Sequence, residues 1–420
     1  MRTIRFGSVA AGVALVALAC GGGGGGGGGS SSGGNKGTIK IGVELPESGS
    51  EASDGIPTLN GVKYAVQKRS SINGFTLEIS NKDDSVSGVH NPQKGAQNVQ
   101  EFVADSKVLG FIGPFNSSVA KAEIPIANGA HLAMISPSNT NECLTKDLPS
   151  CNGLAKQLRP NGPNNYFRVA ATDDLQGPAM ADYAKDTLKI DVVAVASDNE
   201  VYGKGIADSF TKEYEKKGGK VVKRQDFDIP STNDFKPFLT SAQQLGAKGI
   251  YFGGTDSNKG CVVRAQMKGI FPAEVPEMGG DGLQTTQCIK DAADNAIGLY
   301  ASVAAADATQ ISSAKSTIDD FKKTFTKSDD FGAYTMPAYD AANILIDAIG
   351  RAINDNNGNM PTREQVRAEV AKTKNYKGVL GNTSFDQSGD TSAKIISIYE
   401  AKGSPAAFTF VKQINYAGSS

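Results

Sequence analysis

Residues 38–45, Thr-Ile-Lys-Ile-Gly-Val-Glu-Leu, decide how the rest of the chain is read, because this β-rich run is a strand and a helix-period stretch follows it. Residues 58–69 put Leu59, Val62, Ala65 and Val66 on one helical face, and residues 76–80 are β-rich again. A helix over 92–105 with Ala96, Val99, Phe102 and Val103 inward, a strand 108–113, a helix 118–128 and a strand 132–136 continue the pattern. It restarts with helices at 176–188, 203–217, 234–245 and 258–269, interleaved with strands at 192–197, 220–226 and 249–253. Repeated β-α units predict an α/β fold of two doubly wound lobes, each a parallel sheet with helices on both faces.

The 420 residues carry 43 Lys+Arg against 44 Asp+Glu, a formal charge of −1. That balance argues against a nucleic-acid binder, which needs a basic face to displace phosphate counterions. With 39% hydrophobic and 21% charged residues the body is ordinary globular material, long enough for two domains. His90 and His131 are too few and too far apart to suggest a metal centre or an acid/base relay, so no metal, no cofactor and no enzyme activity are expected.

Residues 1–19 read as a removable signal peptide: Arg2 and Arg5 are followed by an uncharged stretch too short for a comfortable membrane span. Ala17-Leu-Ala-Cys20 closes that stretch and resembles a bacterial lipobox, although leucine stands two rather than three residues before the cysteine. Lipidation of Cys20 is the favoured reading, and cleavage that leaves a free thiol is the alternative. Residues 20–37, rich in Gly and Ser, form a tether, so the body is exported and held at the membrane surface, in the periplasm or on the outer face, by a lipid anchor. The remaining cysteines, Cys143, Cys151, Cys261 and Cys288, are even in number in an exported chain. Their spacing favours bridges of 143 with 151 and 261 with 288 over four buried thiols.

Open α/β sheets bind ligands beyond the carboxyl ends of their strands. The loops at 44–55, 113–118, 136–140, 197–203, 253–258 and 279–282 are therefore the candidate site. Several are rich in Ser, Thr, Asn and Asp, which with a helix N-terminus suit an anion. No GxxxxGK[ST] and no GxGxxG after the first strand occur, so a carboxylate fits better than a phosphate, and a dehydrogenase is excluded.

The stretches Ile39-Lys-Ile-Gly-Val-Glu-Leu-Pro-Glu-Ser-Gly49, Gly110-Phe-Ile-Gly-Pro-Phe-Asn-Ser-Ser118, Ile135-Ser-Pro-Ser-Asn-Thr140, Tyr166-Phe-Arg-Val169, Asp174-Leu-Gln-Gly177, Tyr202-Gly-Lys-Gly205 and Met278-Gly-Gly-Asp-Gly282 occur in that order. Together they resemble the exported branched-chain amino-acid (Leu/Ile/Val) binding proteins of ABC importers. The resemblance implies a type I periplasmic-binding fold whose lobes, residues 38–168 plus 302–377 and residues 169–301 plus 378–420, are joined by a three-crossing hinge near 168–171, 299–302 and 377–380.

By the same resemblance Ser117 and Thr140, with the backbone of Asn116 and Ser138, match positions that bind a ligand's α-carboxylate and part of its ammonium. Asn116 stands where the family commonly has serine, so the hydroxyl role falls on Ser117 or passes to the Asn116 amide. Asp281 matches the acidic partner of the α-ammonium, and Tyr202 an aromatic wall. Two family aromatics are replaced, near Asp54 in the first loop and near Thr255, with Asp256 adjacent; this departure would admit a more polar amino acid. Each residue also has a plain reading: Ser117, Ser118, Ser138 and Thr140 as helix caps, Asp281-Gly282 as a turn, Tyr202 as core. Glu44 and Asp198 read as surface or solvated residues.

The expectation is thus a monomeric substrate-binding lipoprotein that closes its lobes on an amino acid and presents the closed form to a membrane ABC permease. The competing readings are a ligand sensor for a signalling receptor and a binder of a short amide or aromatic acid.

Overall fold

The strand Thr38–Leu45 occupies the bounds expected for it and lies inside a six-stranded sheet. A computed structural model describes residues 35–416; the expected signal peptide, Cys20 and residues 21–34 of the tether lie outside the described residues. The first sheet runs in the order Ser71–Ile72, Phe75–Asp83, Thr38–Leu45, Val108–Ile112, Ala133–Ser136, Tyr166–Arg168. All its pairings are parallel except that of the two-residue edge strand. Ile39, Ile41, Val43 and Leu45 are fully buried, together with Leu59, Val62 and Ala65 of helix α1 (Ala52–Lys68) and Ile344, Leu345 and Ile349 of the helix Thr335–Asp355. On the opposite side, α2 (Pro92–Ala104) and α3 (Ser117–Gly129) close Val99, Phe102, Ala120 and Ile124 over Phe111 and Met134. Each large aliphatic side chain so buried contributes about 1.5 to 3 kcal/mol, which anchors the strand ends that carry the site.

The second sheet has seven strands, in the order Lys220–Asp226, Val192–Ser197, Ile250–Gly253, Glu277–Gly279, Leu299–Val303, Ile395–Lys402, Ala407–Asn415. The first five are parallel, while Ile395–Lys402 and Ala407–Asn415 are antiparallel to their neighbours, so the expectation of two purely parallel sheets is corrected. Only four residues, 403–406, separate the last two strands, too few for the crossover that a parallel pair requires.

The chain passes between the sheets three times: after Tyr166–Arg168, after Leu299–Val303 and before Ile395–Lys402. Between the last two passages the helices Thr335–Asp355 and Arg363–Ala371 pack on the first sheet. The disulfides Cys143–Cys151 and Cys261–Cys288 are formed, the pairing that the spacing favoured. Among the described residues no helix is long and apolar enough to cross a membrane.

Two helices differ from expectation. α1 begins at Ala52 rather than at residue 58, so Asp54 sits in its first turn and not in a loop. A 3-10 turn, Gly49–Glu51, leads into the helix, so Pro57 falls early in it, where the ring removes a single backbone bond. In α2 the buried face is Gly95, Asn98, Val99 and Phe102, with Ala96 and Val103 half-buried. Asn98 turns inward because its amide donates to Glu44 Oε1 at 3.1 Å and to the Asp83 carbonyl at 2.9 Å.

Candidate functional site

The strand Val108–Ile112 ends at Gly113, whose φ is +131° and whose Cβ, were there one, would lie 2.1 Å from the Glu44 carbonyl oxygen. Only glycine permits that turn, and the turn presents Phe115 and Asn116 beyond the sheet edge. α3 begins at once, and its N-cap residue Asn116 makes no side-chain capping bond. The first-turn N–H groups of Ser117 and Ser118 therefore point outward at the positive end of the helix dipole.

The Asn116 amide is engaged elsewhere: its Nδ2 donates to Glu51 Oε1 at 2.6 Å. Glu51 in turn accepts from the His90 backbone N–H at 2.9 Å and lies 2.8 Å from His90 Nδ1. Burial opposes charge on both partners, yet each stabilises the other: Glu51 is held below the usual carboxylate range and His90 is pushed up to about 9. The ionised Glu51 accepts only, so the Asn116 amide must turn its NH2 inward, and its Oδ1 is left without a partner. Ser117 lines a cavity beside it. Ser138 Oγ is also committed, donating to the Phe115 carbonyl at 3.0 Å, and neither serine caps a helix.

Asp281 opens a 3-10 turn directly after the strand Glu277–Gly279 of the second sheet. Its Oδ1 accepts from Tyr202 Oη at 2.8 Å and from Gln176 Nε2 at 2.9 Å, and its Oδ2 accepts from Tyr334 Oη at 2.7 Å. A Cβ on Gly280 would stand 2.1 Å from Tyr202 Oη, so glycine there is what lets the phenol reach the carboxylate. Burial pushes the Asp281 carboxyl up, and the three hydrogen bonds oppose that rise. Burial first, then the Asp281 charge, raises the phenols of Tyr202 and Tyr334 and keeps them protonated donors.

The structure brings Asn116, Ser117, Ser138, Thr140, Tyr202, Thr255 and Asp281 to the wall of one cavity of about 20 Å³, together with Phe115 and Gly282. Asp54 lies apart from it, on the wall of a larger neighbouring cavity of about 800 Å³ that also includes Phe115, Tyr334 and Thr285. Phe115 faces both cavities and packs edge-on against Tyr334, with ring centroids 5.5 Å apart. Burial, then the charges of Asp256, Glu51 and Asp281, drives the Asp54 carboxyl well above its ordinary range. Asp256 is pushed up to about 7, by burial first and then by Glu51, against the opposing bond from Thr285.

Gln176 lies in the Asp174–Gly177 motif without having been singled out, and Tyr334 has no motif around it. Two residues read as surface groups are buried: Glu44 is fully enclosed, and Asp198 accepts from Asn258 Nδ2 at 2.9 Å and from the Glu200 N–H at 3.0 Å.

A uncapped helix terminus facing a buried carboxylate across a cleft can hold a dipolar molecule by both ends. The family model described as periplasmic binding protein matches residues 38–404, and the chain belongs to that family. The Leu/Ile/Val-binding protein homolog 3 of Brucella melitensis biotype 1 is 28% identical over 366 residues, covering 86% of this chain and 91% of that protein. The leucine-, isoleucine-, valine-, threonine-, and alanine-binding protein of Pseudomonas aeruginosa is 26% identical over 366 residues, covering 86% and 90%. Among solved structures, a leucine binding protein from Thermotoga maritima superimposes with a TM-score of 0.77 at 26% identity, over 90% of this chain and 99% of that one. The resemblance to branched-chain amino-acid binding proteins, and with it the two-lobed fold, is borne out.

Proposed function

We propose that this chain is the extracytoplasmic substrate-binding protein of an ABC importer and that it captures an α-amino acid between its lobes. A single observation carries the reading. The open N-terminus of α3 and the carboxylate of Asp281 face the same cavity from opposite lobes. The α-carboxylate would meet the N–H groups and hydroxyl at Ser117 and the wall at Thr140, while the α-ammonium would meet Asp281. A buried unpaired ion costs several kcal/mol, so a zwitterion is fully compensated only when both lobes contribute.

A space of about 20 Å³ holds roughly one water, so an amino acid enters only when the lobes part. Bending where the chain passes between the sheets, after Tyr166–Arg168, after Leu299–Val303 and before Ile395–Lys402, would then move one lobe against the other. The third crossing lies later than the 377–380 expected, because Val379 and Leu380 donate to Asp340 of the helix packed on the first sheet and Asp390 pairs with Arg168. Ligand shifts this equilibrium by its greater affinity for the closed form, which a membrane permease reads. The chain acts by binding rather than by catalysis, and lipidation at Cys20 would keep it near the permease.

Thermal-shift screening of the L-amino acids, followed by calorimetry, tests the reading. A saturable shift with at least one amino acid, lost with the decarboxylated amine, is expected. A preferred ligand that lacks an α-ammonium would overturn it.

A further inference from the structure

An α-amino acid brings one ammonium to the cleft, and Asp281 answers it. The cleft holds more carboxylate than that. Asp54 comes from α1 in the first lobe; Asp256 comes from the second, its Oδ2 accepting from Thr285 Oγ1, and Thr285 shares a cavity wall with Asp54. His90 balances Glu51. The charges that bear on Asp54, those of Asp256, Glu51 and Asp281, are all negative, and those that bear on Asp256 are Glu51 and Asp291. The wall near Asp54 adds Asp307 and Asp329, against Lys290 as its one cation among the described residues.

Hydrogen bonding points the same way independently of charge. Asn116 is 7% exposed, lines the small cavity, and its Oδ1 has no partner, because Glu51 has taken the NH2. Gln176, fully buried beside Asp281, has an unpartnered Oε1, and Asp54 Oδ2 is buried with no partner. Every unpartnered buried side-chain atom at the cleft is thus an acceptor. A ligand that carries a donor and a positive charge would meet these acceptors directly.

We propose that the side-chain subsite, with the Phe115 and Tyr334 rings around the stem, Asp54 on its wall and Asp256 behind Thr285, selects an α-amino acid bearing a second cationic group. This substrate class rests on the reading of Asp281 as the α-ammonium partner. Phe115 faces both cavities, so methylenes leaving the α-carbon pass its ring before the terminal group reaches Asp54. A carboxyl at this end of the pocket offers a cation charge pairing, which an aliphatic side chain cannot use.

L-Lysine and L-norleucine differ only by the terminal ammonium, so calorimetry of the whole protein with these two, and with L-ornithine and L-leucine, isolates that group. L-Lysine or L-ornithine should bind at least tenfold more tightly than L-norleucine, and Asp54→Asn should cut that ratio at least tenfold. Should Asp54→Asn fail to fold, Asp256→Asn is the second variant, with the same expectation. A smaller ratio in the wild type, or one unchanged in the variant that folds, overturns the dibasic assignment and leaves the amino-acid reading standing. Binding of none of the four, with no other amino acid bound, removes both.

Discussion

Tyr334 Oη donates to Asp281 Oδ2 at 2.7 Å, joining the helix that packs on the first sheet to the turn that follows a strand of the second. The Asp281 carboxylate, which we propose meets the α-ammonium, is therefore organised by both lobes. Tyr334→Phe deletes one donor from a buried charge and should weaken amino-acid binding by about 1.5 to 3 kcal/mol, roughly tenfold or more by calorimetry. The Tyr334 bond is also one of those that restrain the burial-driven rise of the Asp281 carboxyl. Without it the acid limb of the binding profile should move to higher pH; an unmoved limb would detach Tyr334 from the site.

Asp281→Asn keeps the shape but removes the counter-charge and one of the two acceptor oxygens. Truncating one partner of a buried charge pair costs about 2 to 5 kcal/mol, so affinity should fall by at least thirtyfold. The amide oxygen replaces only one of the two carboxylate oxygens, so either the Tyr202 or the Tyr334 phenol has to turn and accept from the NH2. The melting temperature in the absence of ligand should fall modestly, and affinity should fall by more than that change accounts for. Near wild-type affinity would place the α-ammonium elsewhere.

The parts of the molecule that could be read from sequence are those whose evidence is local. The strands Thr38–Leu45, Val192–Ser197 and Lys220–Asp226 have the expected bounds because β-rich runs between helix-period stretches leave few alternatives. The site loops follow from the strand ends, and seven expected residues meet at one cavity for that reason. What escaped is non-local or brief. The strand Glu277–Gly279 is three residues long, and the antiparallel end of the second sheet depends on partners a hundred residues apart, such as Tyr300 and Glu400. Tyr334 is a lone aromatic before a helix. Nothing in the sequence around His90 signals its role, because its partner, Glu51, is 39 residues away, and the orientation of the Asn116 amide depends on that pair.

The Glu51–His90 pair makes a pH prediction whose sign is fixed by His90. Its folded value, about 9, lies above the roughly 6.5 of an unfolded histidine, so its contribution is complete below about pH 6.5 and is lost as pH rises through 9. At about 1.4 kcal/mol per unit the full effect is on the order of 3 kcal/mol. The melting temperature of the wild type should exceed that of His90→Gln at pH 6, and the gap should narrow steadily up to pH 9.5. A gap that is constant with pH would mean the imidazole is neutral in the fold. Because Glu51 holds the Asn116 amide, the same variant should also bind amino acid more weakly.

The two disulfides should differ in their effect on stability because they close loops of different length. Cys143–Cys151 spans 8 residues of sequence and Cys261–Cys288 spans 27. Chain-entropy accounting assigns about 2.5 kcal/mol to the shorter loop and about 3.5 kcal/mol to the longer, all of it through restriction of the unfolded chain. Cys261 and Cys288 are moreover both fully buried in the core of the second lobe, where paired serines would leave two hydroxyls to satisfy. Cys261→Ser with Cys288→Ser should therefore lower stability in denaturant by more than Cys143→Ser with Cys151→Ser. The Cys143–Cys151 bridge lies in the segment that follows Thr140 and precedes the strand Tyr166–Arg168, so its loss should register in ligand affinity as well as in stability. If the 143–151 double variant proves the less stable of the two, local packing around that segment, rather than loop entropy, governs what the bridges contribute.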